Sequence, residues 1–275
     1  FAGADAFPGK VEDDAERVEV ELAFSGTPPG WRSTPIYLPA GEVLAIKVVE
    51  GFAKGWRLRI GCHKDSLWKK DKWSRWPQIT HEIELNDGET KVATPWGGGI
   101  FFIPGKGAEA MRVSISGGVE APLFISGDKE SQKGWQNAKN APGPWAELVG
   151  KHVILSVPSS SIRDLKDPQA VTDYWDKVAV GHSDLGARPP KVRPERLVAD
   201  QQNSAGYMHS GYPIMTWLDV VTPKGGRPAP VLDLETLRTK GNWGYFHEMG
   251  HNMQRGWWTF SGTGEVTNNL FSLHA

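Results

Sequence analysis

His247-Glu248-Met249-Gly250-His251 places three groups able to do chemistry within five residues. On a helix, residues four apart share a face, so His247 and His251 can reach a single ion together. Glu248 follows the first histidine and can reach a water held by that ion. The residue types suit the task, because imidazole nitrogens bind zinc and a neighbouring carboxylate can take a proton. The chemistry implied is metal-assisted hydrolysis, with Zn2+ as the expected ion, one per chain, and Glu248 as the catalytic base.

A hydrolytic zinc site takes three protein ligands and leaves a position for water. Downstream of His251 the only acidic side chain is Glu265 and the only imidazole is His274. Ser261-Gly-Thr-Gly264 reads as a turn and helix start. Val266, Leu270 and Leu273 recur at helical spacing, so Glu265 is expected to project from a second helix packed beside the first. A first-turn glutamate is also favoured by the helix dipole with no metal involved. Beside the upstream motif, Glu265 is the better candidate for third ligand, and His274 is read as a surface or interface residue. Asn269, four residues after Glu265 on the same face, is a candidate hydrogen-bond partner for a ligand.

The helix that carries the motif is expected to start at Asn242 as N-cap and to stop at Gly256. Trp243, Phe246, Met249 or Gly250, and Met253 mark its buried stripe. A helix-interior glycine costs about 1 kcal/mol relative to alanine. Gly250 therefore signals a close approach, either by another element or by a substrate backbone, and Trp243 and Gly250 are candidate substrate-binding positions. Amide hydrolysis also needs a donor for the developing oxyanion. Tyr207-Met-His209-Ser-Gly-Tyr212 offers His209 and Tyr212. The same segment is equally readable as packed tyrosines with a satisfied loop histidine, and a donor beyond residue 275 is a further option.

Gly241-Asn-Trp-Gly-Tyr-Phe-His-Glu-Met-Gly-His-Asn252, followed by Glu265-Val-Thr-Asn-Asn269, resembles the enhancin-like, mucin-degrading zinc metallopeptidases of the gluzincin group. Upstream blocks fit in order: Thr34 to Glu42, Ile60-Gly61 and the Trp/Arg/Pro-rich run to Pro77, Pro95 to Ile103, Ala141 to Glu147, Val157-Pro158, and Met208 to Met215. The resemblance implies His247, His251 and Glu265 as zinc ligands and Glu248 as base. It implies an endopeptidase acting on glycoproteins or glycopeptides, of the mucin-type O-glycosylated kind, in a secreted or cell-surface setting. Two alternatives stay open: an aminopeptidase on the same chemistry, for which no acidic anchor is identifiable, and a binding or regulatory relative of ion-channel-associated factors. The intact ligand set favours activity.

Composition narrows the remainder. A chain of 275 residues can bury a full core. Its net charge of −1 gives no electrostatic case for nucleic acid. No apolar run is long enough to span a bilayer, so no membrane insertion is expected. No signal peptide is recognisable in a chain that starts at Phe1, and the catalytic lobe is expected to continue past residue 275. The single cysteine, Cys62, excludes an internal disulfide, and Cys62-His63 reads as structural. Oligomeric state is not legible. Of thirteen tryptophans, Trp68, Trp73 and Trp76 lie among lysines and are expected on an exposed loop.

These motifs need a scaffold, and the fold expected is α+β. Residues 1–130 read as a β-rich, sandwich-like region, with alternating strands near 17–24, 42–49, 56–60, 81–85, 99–103 and 111–115. Residues 131–275 read as a zincin-type catalytic lobe. Pro142 to Leu148 is expected to be helical, 153–157 a buried strand, Asp167-Pro168 a helix start, and 196–199 and 214–218 further strands.

Overall fold

The computed structural model describes residues 3–275. Strands β1 (Arg17–Phe24), β2 (Arg32–Leu38), β3 (Val43–Glu50), β4 (Trp56–Ile60), β5 (His81–Glu84), β6 (Glu89–Ala93), β7 (Gly98–Pro104), β8 (Met111–Glu120) and β9 (Leu123–Ile125) come first. Helix α1 (Lys129–Ala138), strands β10 (Trp145–Val149) and β11 (Val153–Pro158), helix α2 (Pro168–Leu185), and strands β12 (Glu195–Asp200), β13 (Met208–His209) and β14 (Ile214–Trp217) follow. Three helices close the order: α3 (Leu234–Lys240), α4 (Trp243–His251) and α5 (Gly264–His274). The chain divides into two compact units, one of residues up to 123 with 134–147, the other of 124–133 with 148–275.

In the first unit eight strands form one sheet in the order β5-β4-β7-β2-β8-β3-β6, with β1 also on β8. Alternation drives the strands, and β1 shows a strict exposed–intermediate alternation along its length. Strand β8 serves both halves of the sheet. Its residues from 112 to 116 pair with β3, and Val119-Glu120 pair with β2. The change of partner falls at Gly117 and Gly118, with φ of 99° and 74°. A Cβ on Gly117 would meet the Val43 carbonyl at 2.6 Å, so backbone freedom and space both require glycine there. The two halves share one core, with Ile36, Leu38, Trp56, Leu58, Ile100 and Phe102 on one side and Leu44, Ile46, Val113 and Ile115 on the other. That is the arrangement expected of a sandwich-like region.

One expectation about secondary structure fails. The stretch through Trp145 is the strand β10, not a helix. Trp145, Ala146, Glu147 and Leu148 are all buried, so both faces of the segment are covered and no helical stripe exists. The Trp145 indole N–H donates to the Pro8 carbonyl at 2.7 Å, and Glu147 accepts from the Ser33 hydroxyl at 2.8 Å. Cys62 and His63 are buried, and the His63 ring packs against Phe7 and Trp145 at 4.7 and 4.3 Å, which is a structural role. Trp68, Trp73 and Trp76 are exposed and pack edge to face on one another.

The second sheet has the order β13-β14-β12-β11-β10-β9. Strands β11, β12 and β14 run parallel, while β13 pairs antiparallel with β14 and lies at the sheet edge. Asp167 caps α2 by accepting from the Ala170 amide at 2.9 Å, and Pro168 takes the first helical position. Asp176 on α2 accepts from the amides of Lys151, His152 and Val153 at 2.7 to 3.0 Å, which ties the helix to the start of β11. Helices α4 and α5 both lie against α2. Trp175 meets Tyr245 and Phe246 at 5.4 and 6.1 Å, and His182 meets Phe271 at 5.4 Å. Each such aromatic burial is worth about 1.5–3 kcal/mol. No helix among the described residues is long and apolar enough to cross a membrane.

Candidate metal centre

The motif helix begins at a sharp corner. Gly241, at φ 66°, ends α3, and Asn242 immediately caps α4 by accepting from the Tyr245 amide at 3.1 Å. Tyr245, Phe246 and Met249 form the buried face of α4. Trp243 is 52 % exposed and lies off that stripe. The helix ends at His251, with Asn252 as C-cap, rather than at Gly256. The Asn252 side chain clasps another segment. Its Oδ1 accepts from the Gly211 amide at 3.0 Å, and its Nδ2 donates to the Gly211 carbonyl at 2.9 Å and to Glu195 at 3.2 Å.

Helix α5 forms as expected, but its buried face differs. Val266, Leu270 and Leu273 are exposed, and Asn268, Phe271 and Ser272 are buried. The reason lies on α4. A Cβ at Gly250 would meet Asn268 Oδ1 at 2.3 Å and Phe271 Cβ at 2.8 Å. Gly250 is therefore a notch into which α5 packs, which corrects its reading as a substrate-binding position. Asn268 Nδ2 also donates to the His247 carbonyl at 2.7 Å. Asn268 thus makes the inter-helix contact, whereas Asn269 is half-buried and makes no hydrogen bond to the motif residues among the described residues.

This packing brings three ligand atoms together. His247 Nε2 and His251 Nε2 are 3.1 Å apart, and Glu265 Oε2 is 2.9 Å from the first and 3.3 Å from the second. Ligands of a tetrahedral zinc, at about 2.0–2.1 Å from the ion, stand roughly 3.3 Å from one another. The observed triangle fits that edge length, and the donor set of two imidazoles and a carboxylate fits zinc. Among the described residues this is the one cluster of its kind. The Glu265 side chain is 77 % exposed, so one side of the triangle faces solvent.

Glu248 is buried on the same helix. Burial pushes its carboxyl above the usual range, opposed by His247, His251 and His209. A carboxylate whose pKa is raised by burial beside a histidine cluster is a candidate for proton transfer. His209 stands on the edge strand β13. Its Nδ1 lies 3.0 Å from the Ser210 carbonyl, and because a carbonyl only accepts, the proton is on Nδ1. Tyr212 is half-buried, with the Arg193 guanidinium 3.8 Å above its ring. Tyr207 donates to Asp219 at 2.7 Å, and burial with that bond pushes its hydroxyl up to about 12.

The comparisons with known proteins decide the family. A profile described as peptidase M60, enhancin and enhancin-like, matches residues 117–275, and one for the N-terminal domain of M60-like peptidases matches residues 11–116. The chain belongs to the M60 peptidase family. Among its relatives, TRPM8 channel-associated factor 2 of Bos taurus is 39 % identical over 250 residues, covering 89 % of this chain and 26 % of that protein. The Homo sapiens factor 2 is 38 % identical over 264 residues, covering 93 % and 28 %. The chain thus spans about a quarter of the length of these curated relatives. A functionally unknown conserved protein from Bacillus anthracis superposes with a TM-score of 0.71 at 25 % identity, covering 93 % of this chain and 55 % of that one. The IMPa metallopeptidase from Pseudomonas aeruginosa shares the M60 fold, with a TM-score of 0.67 at 16 % identity, covering 98 % and 34 %. IMPa has also been solved in complex with T-antigen and with an O-glycopeptide.

The residues that brace the candidate site were not foreseen from sequence. Asn252 directly follows the motif and Gln254 stands two residues further on, and Asn268 is a polar residue in mid-helix opposite a helix-interior glycine. Only Gly250 carried a readable signal, since a glycine there implies that something comes close.

Proposed function

We propose that this M60 chain is a zinc-dependent endopeptidase that hydrolyses peptide bonds in O-glycosylated proteins outside the cell. The observation that carries this reading is the convergence of His247, His251 and Glu265 on one point beside the buried carboxylate of Glu248. Zinc held by these three residues supplies Lewis acidity, activating a water and polarising the scissile carbonyl. Glu248 takes the proton from the attacking water at its carboxylate and delivers it to the leaving nitrogen. Strand β13 is the edge of the second sheet, the position at which an extended substrate backbone can add to a sheet. His209 on that strand and the neighbouring Tyr212 are the proposed oxyanion donors. With Nδ1–H committed to Ser210, His209 donates through Nε2 only when protonated. Trp243, exposed at the start of α4, is a proposed substrate contact. The O-glycopeptide complex of IMPa supports the choice of substrate class.

A second reading is favoured by the identity to the channel-associated factors, in which the site is a binding surface rather than a catalyst. One experiment separates them. The chain is loaded with zinc and incubated with an O-glycosylated protein and with the same protein stripped of glycans, and cleavage sites are read by mass spectrometry. The endopeptidase reading expects about one zinc per chain and cuts beside glycans that disappear on deglycosylation. Glu248→Gln should keep the zinc and lose the cuts. A zinc-loaded chain that leaves both substrates intact favours the binding reading, and trimming only from free amino termini favours an aminopeptidase.

A further inference from the structure

Gln254 lies three residues beyond the second ligand histidine, outside the motif, and its side-chain amide is fully engaged. Its Oε1 is 2.8 Å from His251 Nδ1. Its Nε2 donates to the Gly264 carbonyl at 2.6 Å and to Thr267 Oγ1 at 2.8 Å. The direction of this chain of bonds is fixed by its far end. The Gly264 carbonyl can only accept, and the Thr267 hydroxyl already spends its hydrogen on the Thr263 carbonyl at 3.0 Å. The amide nitrogen must therefore face α5, and the amide oxygen must face His251. An oxygen there requires the proton of His251 to sit on Nδ1. The lone pair of neutral His251 is then on Nε2, the atom that faces His247 and Glu265.

The other histidine has no such brace. His247 Nδ1 is buried and has no hydrogen-bond partner among the described residues. Ring orientation and tautomer are thus set by a specific partner at His251 alone. That partner also grips Gly264, the residue next to Glu265, and Thr267 in the first turns of α5.

We propose that Gln254 is the positioning residue of this metal site, selecting the metal-binding tautomer of His251 and tying it to the turn that presents Glu265. The proposal rests on the zinc reading above. It makes two separable demands, because the amide oxygen serves the histidine and the amide nitrogen serves the helix. Gln254→Met keeps length but loses both functions. Gln254→Glu keeps an acceptor for His251 Nδ1–H and loses the donor toward Gly264.

The test is zinc affinity by competition with a chromophoric chelator, the visible spectrum of the Co2+ form, and the melting temperature of the metal-free chain. Wild type should bind one zinc. Gln254→Met should bind it about 10–100-fold more weakly, with an altered cobalt spectrum. Gln254→Glu should recover much of the affinity and the wild-type spectrum, even where its metal-free melting temperature falls as far as that of the methionine variant. That split separates positioning from fold stability, and the glutamate variant still decides the matter should the methionine variant not fold. Zinc binding by Gln254→Met as tight as wild type overturns the proposal, as does Gln254→Glu binding no better than Gln254→Met. A wild-type chain without affinity for zinc overturns the zinc reading and this proposal with it.

Discussion

Gly250→Ala sets two effects of opposite sign against each other. In an open helix interior the change would stabilise by about 1 kcal/mol, because alanine loses less conformational entropy. Here the new Cβ would stand 2.8 Å from Phe271 Cβ and 2.3 Å from Asn268 Oδ1. Carbon atoms in contact prefer about 3.5–4.0 Å, so α5 must withdraw by roughly 0.7 to 1.2 Å. The Asn268 amide can rotate, at the expense of its bond to the His247 carbonyl. Phe271 Cβ is fixed to the backbone and cannot. Overpacking of this kind costs about 1–3 kcal/mol, which leaves a net loss of about 0–2 kcal/mol. The larger effect falls on the site. Glu265 rides on the same helix, roughly 9 Å along its axis from Phe271, and moves with it. Zinc affinity should fall by about 10–100-fold, the scale for disturbing the support of a ligand. Urea midpoints of the metal-free chain and zinc competition on the same preparation measure the two terms. A variant about 1 kcal/mol more stable with unchanged zinc affinity would refute the reasoning, since it would mean that α5 does not seat in the notch.

Two further outcomes follow from the packing behind the site. Burial lowers the His182 pKa to about 4, below its unfolded value of about 6.5. The fold therefore favours neutral His182, and its contribution is complete above pH 6.5 and lost as pH falls toward 4. The loss amounts to about 3 kcal/mol. The stability gap between wild type and His182→Met should shift by that amount in favour of methionine between pH 7 and pH 4, and parallel pH curves would count against it. The two faces of α5 can be compared directly. Phe271→Ala should cost about 3–5 kcal/mol, while Leu270→Ser should change stability by no more than about 0.5 kcal/mol; equal losses by chemical denaturation would reverse the face assignment.

The sequence exposed the parts of this protein whose constraints are local. Strand β1 alternates because one face is covered and the other is not, so Arg17–Phe24 is legible from its own residues. By periodicity β2 is not, because its pairing with β7 shifts register between Ser33 and Tyr37, around Pro35. Strand β10 fails for another reason, being buried on both faces, so its residues carry no alternation to read. The candidate ligands were legible because the proposed ion sets the residue types and the helix sets the spacing of His247 and His251. Their support was not, because it depends on where carbonyl groups of another element fall.

Helix α5 shows how far that dependence reaches. Its apolar residues Val266, Leu270 and Leu273 would make a buried stripe on any isolated helical wheel, and they lie outside. Asn268 and Ser272 would be assigned to solvent, and they lie inside. The choice between the two faces is made on α4, where Gly250 opens a notch. It is also made by Gln254, whose amide can grip Gly264 and Thr267 only when that side of α5 faces the motif. Turning α5 to bury its leucines would satisfy hydrophobic burial at about 1.5–3 kcal/mol per side chain. It would also swing Glu265 away from the two histidines and break every bond of the Gln254 amide to α5. The orientation observed is the one that brings Glu265 to the two histidines.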